Sequence, residues 1–487
     1  MAMGKRKTEA QPPLFIVTED LPQSAGHPYY EAVNRLLAAH GFDPWVEEVC
    51  QSFYAPTMGR PSLAPGIYFR CLMVGYLEGI GSERGIAWRV ADSLSLRRFL
   101  GVPLGEQTPD HSTISRTRRL VDLETHERVF VWVLKVLALQ GLISGKTVGI
   151  DATTLEANAA MRSIVRNDTG QSYQDFLKEL AKASGIETPT REDLARIDRD
   201  RPHKGSNDDW HNPYEPDARI AKMKDGSTRM AHKSEHAVDL TDGREGAVLA
   251  VTVQGADEGD TTTWRPTVEQ ACTNLHAVIA DPLTAATVHE KPVAELVEDK
   301  GYHSNQTMTD YREIGIRSYV SEPDRPRPRP RKSRPGKSSL RKGNHQRVRR
   351  RWVGKESHRQ AVYANRRRIR GTRGKRLMRK RGQFLERTFA HCYETGAMRR
   401  THLRGHNNIL KRLLVHVAGF NLSLVMRRIF PRGTPRGLQG LRAAIAASFS
   451  AVWALLGGLE TGQNSWRRPP GPEDQFSPFS SALAYAA

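Results

Sequence analysis

Asp151, Asp299 and Glu386 are acids whose sequence surroundings could aim them at one place. Asp151 ends the apolar run Thr147-Val148-Gly149-Ile150, and the β-branched Val148 and Ile150, after the break at Gly145-Lys146, predict a short buried strand. Asp299 follows Ala294-Glu295-Leu296-Val297-Glu298, a second strand ending in a carboxylate, with Gly301 just beyond. Glu386 stands beside Leu385 and Phe389 in a stretch that reads as helix from Gln383 to Tyr393. Carboxylates delivered by separate elements suit two-metal phosphoryl transfer. Hard Mg²⁺ ions prefer oxygen ligands, and two of them about 3.5–4 Å apart can activate a hydroxyl or water and stabilise a leaving 3′-oxygen. Asp257 and Asp260 are rival ligands, and Glu394 is a rival to Glu386, although acids in such places also serve as turn or surface residues. His303 and His391 flank the proposed acids without metal-ligand spacing, and both are expected to face solvent or DNA.

The elements that must position these acids follow from periodicity and caps. Phe69, Leu72, Met73, Tyr76, Leu77 and Ile80 form the apolar face of a helix closed by Gly79 and Gly81. Ser82 caps a second helix with Ile86, Val90 and Leu94 on its buried face, and Thr108 to Thr113 starts a third carrying Arg116, Arg118 and Arg119. Two readings of this helical region stand side by side. One is a helix-turn-helix whose last helix offers Ser112, Thr113, Ser115 and Arg116 to base edges; the other is a helical bundle with an exposed basic face. Glu127 to Gln140 is a further apolar helix, and residues 160–230 form a loop-rich insertion with one helix over Tyr173 to Ala183. Strands are expected at His232 to Leu240 and Ala247 to Gln254, joined across the turn signal Asp242-Gly243, and again at Ile316 to Val320. His406 to Arg428 reads as a long amphipathic helix. The expected class is α/β, a mixed sheet with flanking helices and a basic insertion, preceded by an all-helical N-terminal domain.

Charge is concentrated. The 487 residues carry a net +21, yet the window from Arg325 to Arg381 holds 25 Lys/Arg against the single acid Glu356, and the remainder balances at −3. Such a segment binds a polyanion unless something neutralises it; the Arg-Pro repeat at 325–331 reads instead as an extended linker. The clusters Arg347, Arg349, Arg350, Arg351 and Arg366, Arg367, Arg368 are the expected phosphate contacts, in a stretch that looks like neither strand nor core helix. Four scattered cysteines without a C-x-x-C pair argue against a disulfide framework or a zinc knuckle, and a reducing cytoplasm is expected. Residues 1–13 lack the apolar stretch of a signal peptide. The longest apolar run, Ala443 to Gly458, is 16 residues and short of the roughly 18–20 needed to cross a bilayer, so no membrane span is expected.

The set Gly149-Ile150-Asp151-Ala152-Thr153, Asp299-Lys300-Gly301-Tyr302 and Leu385-Glu386-Arg387-Thr388-Phe389, followed by His402-Leu403-Arg404-Gly405-His406-Asn407-Asn408 and Asn421-Leu422, resembles the DDE transposases of bacterial insertion sequences. Gly59-Arg60-Pro61, Ser82-Glu83-Arg84 and Pro109-Asp110-His111-Ser112-Thr113 resemble the helical domain that precedes the catalytic domain in that family. The patches span roughly residues 50–430. The resemblance implies an RNase H-like core with Asp151, Asp299 and Glu386 as ligands of two Mg²⁺ ions, for which Mn²⁺ could substitute. It also implies double-stranded DNA partners, both element ends and target, a homodimer or higher multimer on DNA, and a bacterial, nucleoid-associated location. Many relatives carry a tyrosine and an arginine before the glutamate and a lysine seven residues after it; here those places hold Arg379, Gly382 and Tyr393, with Arg381, Arg387 and Arg399 as substitute phosphate contacts. The expected division is 1–140 helical and DNA-binding, 141–325 the first part of the core, 326–380 the basic insertion, 381–430 the C-terminal core helices, and 431–487 a tail. The favoured activity is cutting element ends and joining their 3′-hydroxyls to target DNA. The alternatives are a decayed or domesticated DNA-binding protein of the same origin and a metal-dependent DNA nuclease.

Overall fold

Side-chain caps set the starts of the N-terminal helices: Ser82, Ser93, Asp110 and Asp122 each accept a hydrogen bond from a backbone N–H three residues on, satisfying a donor the helix cannot. In this computed structural model, which describes residues 26–438 except 56–61, 201–206, 224, 324–351 and 431, they belong to a run of seven helices. These are α1 Pro28–Ala39, α2 Phe42–Cys50, α3 Pro65–Glu78, α4 Glu83–Ala91, α5 Leu94–Leu100, α6 His111–Leu120 and α7 Leu123–Leu139. Gly79, at φ 72°, closes α3 as its spacing predicts. One expectation changes here. Leu94 is not on the buried face of α4, because Ser93 caps a new helix and leaves Leu94 60% exposed.

The sheet is built around β1 (Thr147–Glu156). β1 runs antiparallel to β5 (Thr228–Asp239) and parallel to β7 (Glu295–Glu298), which is parallel in turn to β8 (Arg317–Val320). On the far side of β5, β6 (Val248–Gly255) pairs with most of its length and β4 (Arg219–Lys222) with its first residues. The insertion between β1 and β4 holds the small ribbon β2 (Val165–Arg166) with β3 (Trp210–His211), and helices α8 (Tyr173–Ala183) and α9 (Arg191–Asp200). α8 falls on the expected residues, while α9 and β4 add structure to a region read as loop. Helix α10 (Asp260–Ile279) covers one face of the sheet, and α11 (Asn305–Glu313) follows β7.

The basic segment is the larger departure. From Glu356 it forms α12 (Glu356–Arg370) and α13 (Thr372–Phe389), both packed on the fold. Ala361, Val362 and Asn365, then Gly374, Leu377, Phe384, Leu385 and Thr388, are buried at helical spacing between arginines, which are themselves good helix formers. Residues 325–351, including the Arg-Pro repeat, and the apolar run after Ala443 lie outside the described residues.

Helix α14 (His406–Ile429) is the core of the helical layer rather than a one-faced helix. It is long and apolar enough by composition to cross a membrane, yet 89% of its apolar window is buried inside the protein, against α3, α7 and β6. Its polar residues each meet a backbone need. Arg412 donates to Leu72 O (2.9 Å) and Ile80 O (3.2 Å) around the C-terminus of α3, and Lys411 donates to Arg118 O and Val121 O at the end of α6. Asn421 accepts from Val248 N–H (2.9 Å) and donates to Val248 O (2.8 Å), so it closes the free edge of β6. Asn365 of α12 does the same for Val320 on β8. Both ends of the sheet are therefore sealed by an asparagine. Replacing Asn421 by leucine leaves two buried backbone groups unpaired and should lower stability by about 2–4 kcal/mol; the urea midpoint measures it, and an unchanged midpoint would mean that water replaces the amide.

Candidate active site

Register places the two aspartates. Gly149 pairs with Val297 across β1 and β7, so Asp151 and Asp299 lie two residues further along neighbouring parallel strands, on the face covered by α13. A Cβ on Gly149 would stand 2.5 Å from Leu240 Cδ1 and 3.3 Å from Leu385 Cδ1 of α13, so the glycine leaves room for both leucines. Asp299 caps a single turn, Lys300–Tyr302, accepting from Gly301 N–H at 2.7 Å. A Cβ on Gly301 would stand 2.2 Å from Asp260 Oδ2 and 3.0 Å from Asp299 Oδ1, which is why the motif needs glycine there. Tyr302 turns to the opposite face and donates to Glu235 Oε1 at 2.6 Å.

Arg381 bridges the acids, with Nη2 2.8 Å from Asp151 Oδ2 and 3.7 Å from Asp299 Oδ2. Burial raises the Asp151 carboxyl to about 6; Arg381 opposes the shift, and the nearby charges of Asp299 and Asp260 add to it. Asp260 is in turn held by Lys233 Nζ at 2.6 Å. On the α10 side, where Lys233 and Asp260 also lie, Glu235 accepts from Thr263, Thr267 and Tyr302, and Glu298 accepts from Tyr311 OH at both oxygens (2.9 and 2.8 Å). Burial raises both carboxyls, that of Glu298 well above the ordinary range.

The third expected acid stands apart. Glu386 is exposed on α13 and makes no hydrogen bond or salt bridge among the described residues, although its neighbour Leu385 packs on β1. Of the rivals, Asp257 pairs with Arg219 (3.5 Å) and Glu394 with Arg399 (2.5 Å), whereas Asp260 joins the aspartate pair. Among the described residues no group of three His, Cys, Asp or Glu side chains is arranged to hold a metal ion. His303 and His391 do not face solvent as expected: His303 is 4% exposed beside Glu322, and His391 packs 5.9 Å from the Phe420 ring.

On α6, Ser112, Thr113, Ser115 and Arg116 line the first turns, with Ser112 and Arg116 exposed. Ser112 donates to the capping Asp110 at 2.8 Å, and Arg116 lies back over Ser112 and Thr113. Arg118 is turned inward instead, to Glu83 (2.7 Å) and Asn408 (2.7 Å). The expected phosphate contacts divide. Arg366 is paired with Glu322 and Arg368 donates to Ser318, which leaves Arg367 exposed between them. Arg387 donates to Glu245 O, and Arg399 to Thr153 and Thr154. Arg347, Arg349, Arg350 and Arg351 lie outside the described residues. Sequence reading did not single out Glu235 or Glu298. The available signal was an acid inside each apolar strand, with the tyrosine of Asp299-Lys300-Gly301-Tyr302 needing a buried partner.

Residues 20–120 match the family described as Transposase domain (DUF772). The chain carries a transposase domain. The match covers α1 to α6 and so includes the capped helix with Ser112 and Arg116. Comparison with the curated proteins and with the solved structures finds no match. The Glu83–Arg118–Asn408 contact ties this domain to α14, joining through Arg118 two of the motifs that carried the resemblance.

The Arg381 bridge can be tested by titration. Arg381→Met removes the one cation seen between the aspartates, so Asp151 should titrate above its value of about 6. Carboxyl-carbon NMR reads this directly, and an unmoved or lowered titration would remove Arg381 from the site.

Proposed function

We propose that the chain is a metal-dependent transposase that binds the ends of a mobile DNA element, cuts them and joins the 3′-hydroxyl ends to target DNA. The observation that carries this is the pairing of Asp151 and Asp299, 148 positions apart, on one face of adjacent parallel strands in a chain with a transposase domain. The strand order, with β1 between antiparallel β5 and parallel β7, supports an RNase H-like reading of the sheet. The donor chemistry fits hard divalent cations such as Mg²⁺ or Mn²⁺: carboxylate oxygens, a competing guanidinium and no sulfur. Asp151 and Asp299 would hold the ions with Glu386, and Asp260 is the competing third ligand. Bound there, the ions would activate the attacking hydroxyl and stabilise the leaving 3′-oxygen.

The remaining work belongs to the chain. Arg381 neutralises the aspartates and must give way when a cation binds. The exposed arginines and lysine of α12 and α13, Arg367, Arg370, Lys375 and Arg379, offer phosphate contacts beside the acids, while α6 offers Ser112, Thr113, Ser115 and Arg116 to base edges. Holding two DNA ends for joining calls for a dimer or higher multimer, acting in the bacterial cytoplasm at the nucleoid. A second reading, a DNA-binding protein that does not cut, is favoured by the outward Glu386 and by Arg381 lying between the aspartates.

One experiment separates them. Wild-type protein with Mg²⁺ should cut element-end DNA, and Asp151→Asn, Asp299→Asn or Glu386→Gln should each lower cutting by at least about a hundredfold with DNA binding retained. Cutting should also fall as pH drops through about 6, since a proton on Asp151 competes with the cation. Wild-type-like cutting by Glu386→Gln would transfer the third ligand to Asp260; absence of cutting by the wild type would favour the second reading.

DNA contacts divide by readout. Replacing Arg367, Arg370, Lys375 and Arg379 with glutamine should weaken binding to all sequences alike and flatten the slope of log affinity against log salt by about two to four units. Alanine at Ser112, Thr113, Ser115 and Arg116 should instead lower the ratio of element-end to random binding in a competition assay. An unchanged ratio would make α6 scaffold only.

A further inference from the structure

Beyond Asp151, β1 runs on to Glu156, and there its edge partner changes. Residues Thr147–Gly149 pair with β7, whereas Glu156 N–H donates to Arg399 O and Thr401 N–H donates to Glu156 O, both at 2.9 Å. The segment 399–404 thus takes up the edge that β7 leaves, and Asp151 stands between the two partners. Just past the far end is a cavity of about 240 Å³ lined by Asn158, Ser163, Asn212, Tyr214, Arg400 and Arg404.

Its walls are fixed and its open groups are cationic and aromatic. Buried Asn212 donates to Ala160 O (3.1 Å) and accepts from Tyr214 N–H (3.0 Å), which sets the loop carrying the ring. Asn158 ties the opposite wall through His402 O at 3.3 Å. Tyr214 is 67% exposed, with the Arg404 guanidinium 5.9 Å from its ring centre. That guanidinium makes no hydrogen bond or salt bridge among the described residues. Arg400 stands 3.6 Å from Glu156, but Glu156 is already held by Arg229 at 2.7 Å, so Arg400 retains charge to offer.

Size and distance narrow the ligand. Pockets for free small molecules span about 300–1,000 Å³, so this cavity suits one unit of a polymer held elsewhere. From Asp151 to Glu156 the strand covers about 17 Å at roughly 3.3 Å per residue.

We propose that this cavity receives one nucleotide of a DNA strand running from the aspartates. Its backbone phosphate lies on Arg400 and Arg404, and its base stacks on Tyr214. The proposal rests on the reading of Asp151 and Asp299 as a DNA-processing site, and its test is made separable from that reading by measuring binding with metal chelated. The probe is a short single-stranded oligothymidylate, with a version carrying 5-iododeoxyuridine for photocrosslinking, and the protein is the full chain. Tyr214→Ala, and Arg400→Gln combined with Arg404→Gln, should each weaken oligothymidylate binding about tenfold. Irradiation should attach the iodinated strand to the peptide containing Tyr214. All three residues are exposed, and matching thermal unfolding of the variants checks that the fold is kept. Unchanged affinity in both variants, or crosslinks found only on other peptides, overturns the proposal whether or not Asp151→Asn abolishes cutting. Conversely, weakened binding with a Tyr214 crosslink upholds the cavity even if Asp151→Asn still cuts, an outcome that would sink the metal reading alone.

Discussion

Two carboxylates on neighbouring parallel strands, partly withdrawn from water, need a cation between them, and this requirement shapes the centre of the molecule. A pair of like charges about 4 Å apart repels by about 4 kcal/mol at an effective dielectric constant near 20, several times the worth of an exposed ion pair. Arg381 meets the need by reaching both Asp151 and Asp299. It can do so because α13 packs on β1, where Gly149 leaves room for Leu240 and, beside it, Leu385 of α13. The turn bearing Asp299 is held in place from the other side of the sheet, by Tyr302 on Glu235.

The same strand end thus presents two acids in different surroundings. Glu298 points to the face covered by α10 and α11, where burial raises its carboxyl and Tyr311 is its partner. Asp299, the next residue, points to the α13 face and has a guanidinium nearby. Alternation along a strand is enough to separate them. Burial without a cation favours a neutral acid suited to structure.

Much of this was legible in the sequence where periodicity or a cap marked it. The caps at Ser82 and Asp110, the turn after Asp299 and helix α8 all rest on local signals, and each has its structural counterpart; the strand read as ending at Asp151 instead runs on to Glu156, with Asp151 inside it. What escaped depends on partners distant in the chain. Leu94 carried the right spacing for α4, yet Ser93 restarted the helix. The segment from Glu356 onward looked like open chain because arginine density hid the apolar spacing of Ala361, Val362, Leu377 and Leu385. Arg381 sat among phosphate candidates, and only the fold shows that its first partners are carboxylates. Glu386 carried the family's motif, but a helix position alone does not say which way an acid faces.

Helix α14 gives the remaining constraint its length. Asn408 meets Arg118 of α6, Lys411 caps the end of α6, Arg412 caps α3, and Asn421 closes the edge of β6. The 13 residues from Asn408 to Asn421 span about 20 Å at 1.5 Å per residue, so one buried helix sets the offset between the helix proposed to read DNA and the sheet that bears the acids. A surface helix would slip under load, since its contacts could be exchanged for water. Lys411, Arg412 and Asn421 anchor through buried hydrogen bonds to backbone, and breaking any one strands a polar group in the core. The helical region and the sheet are thereby joined by residues of one buried helix.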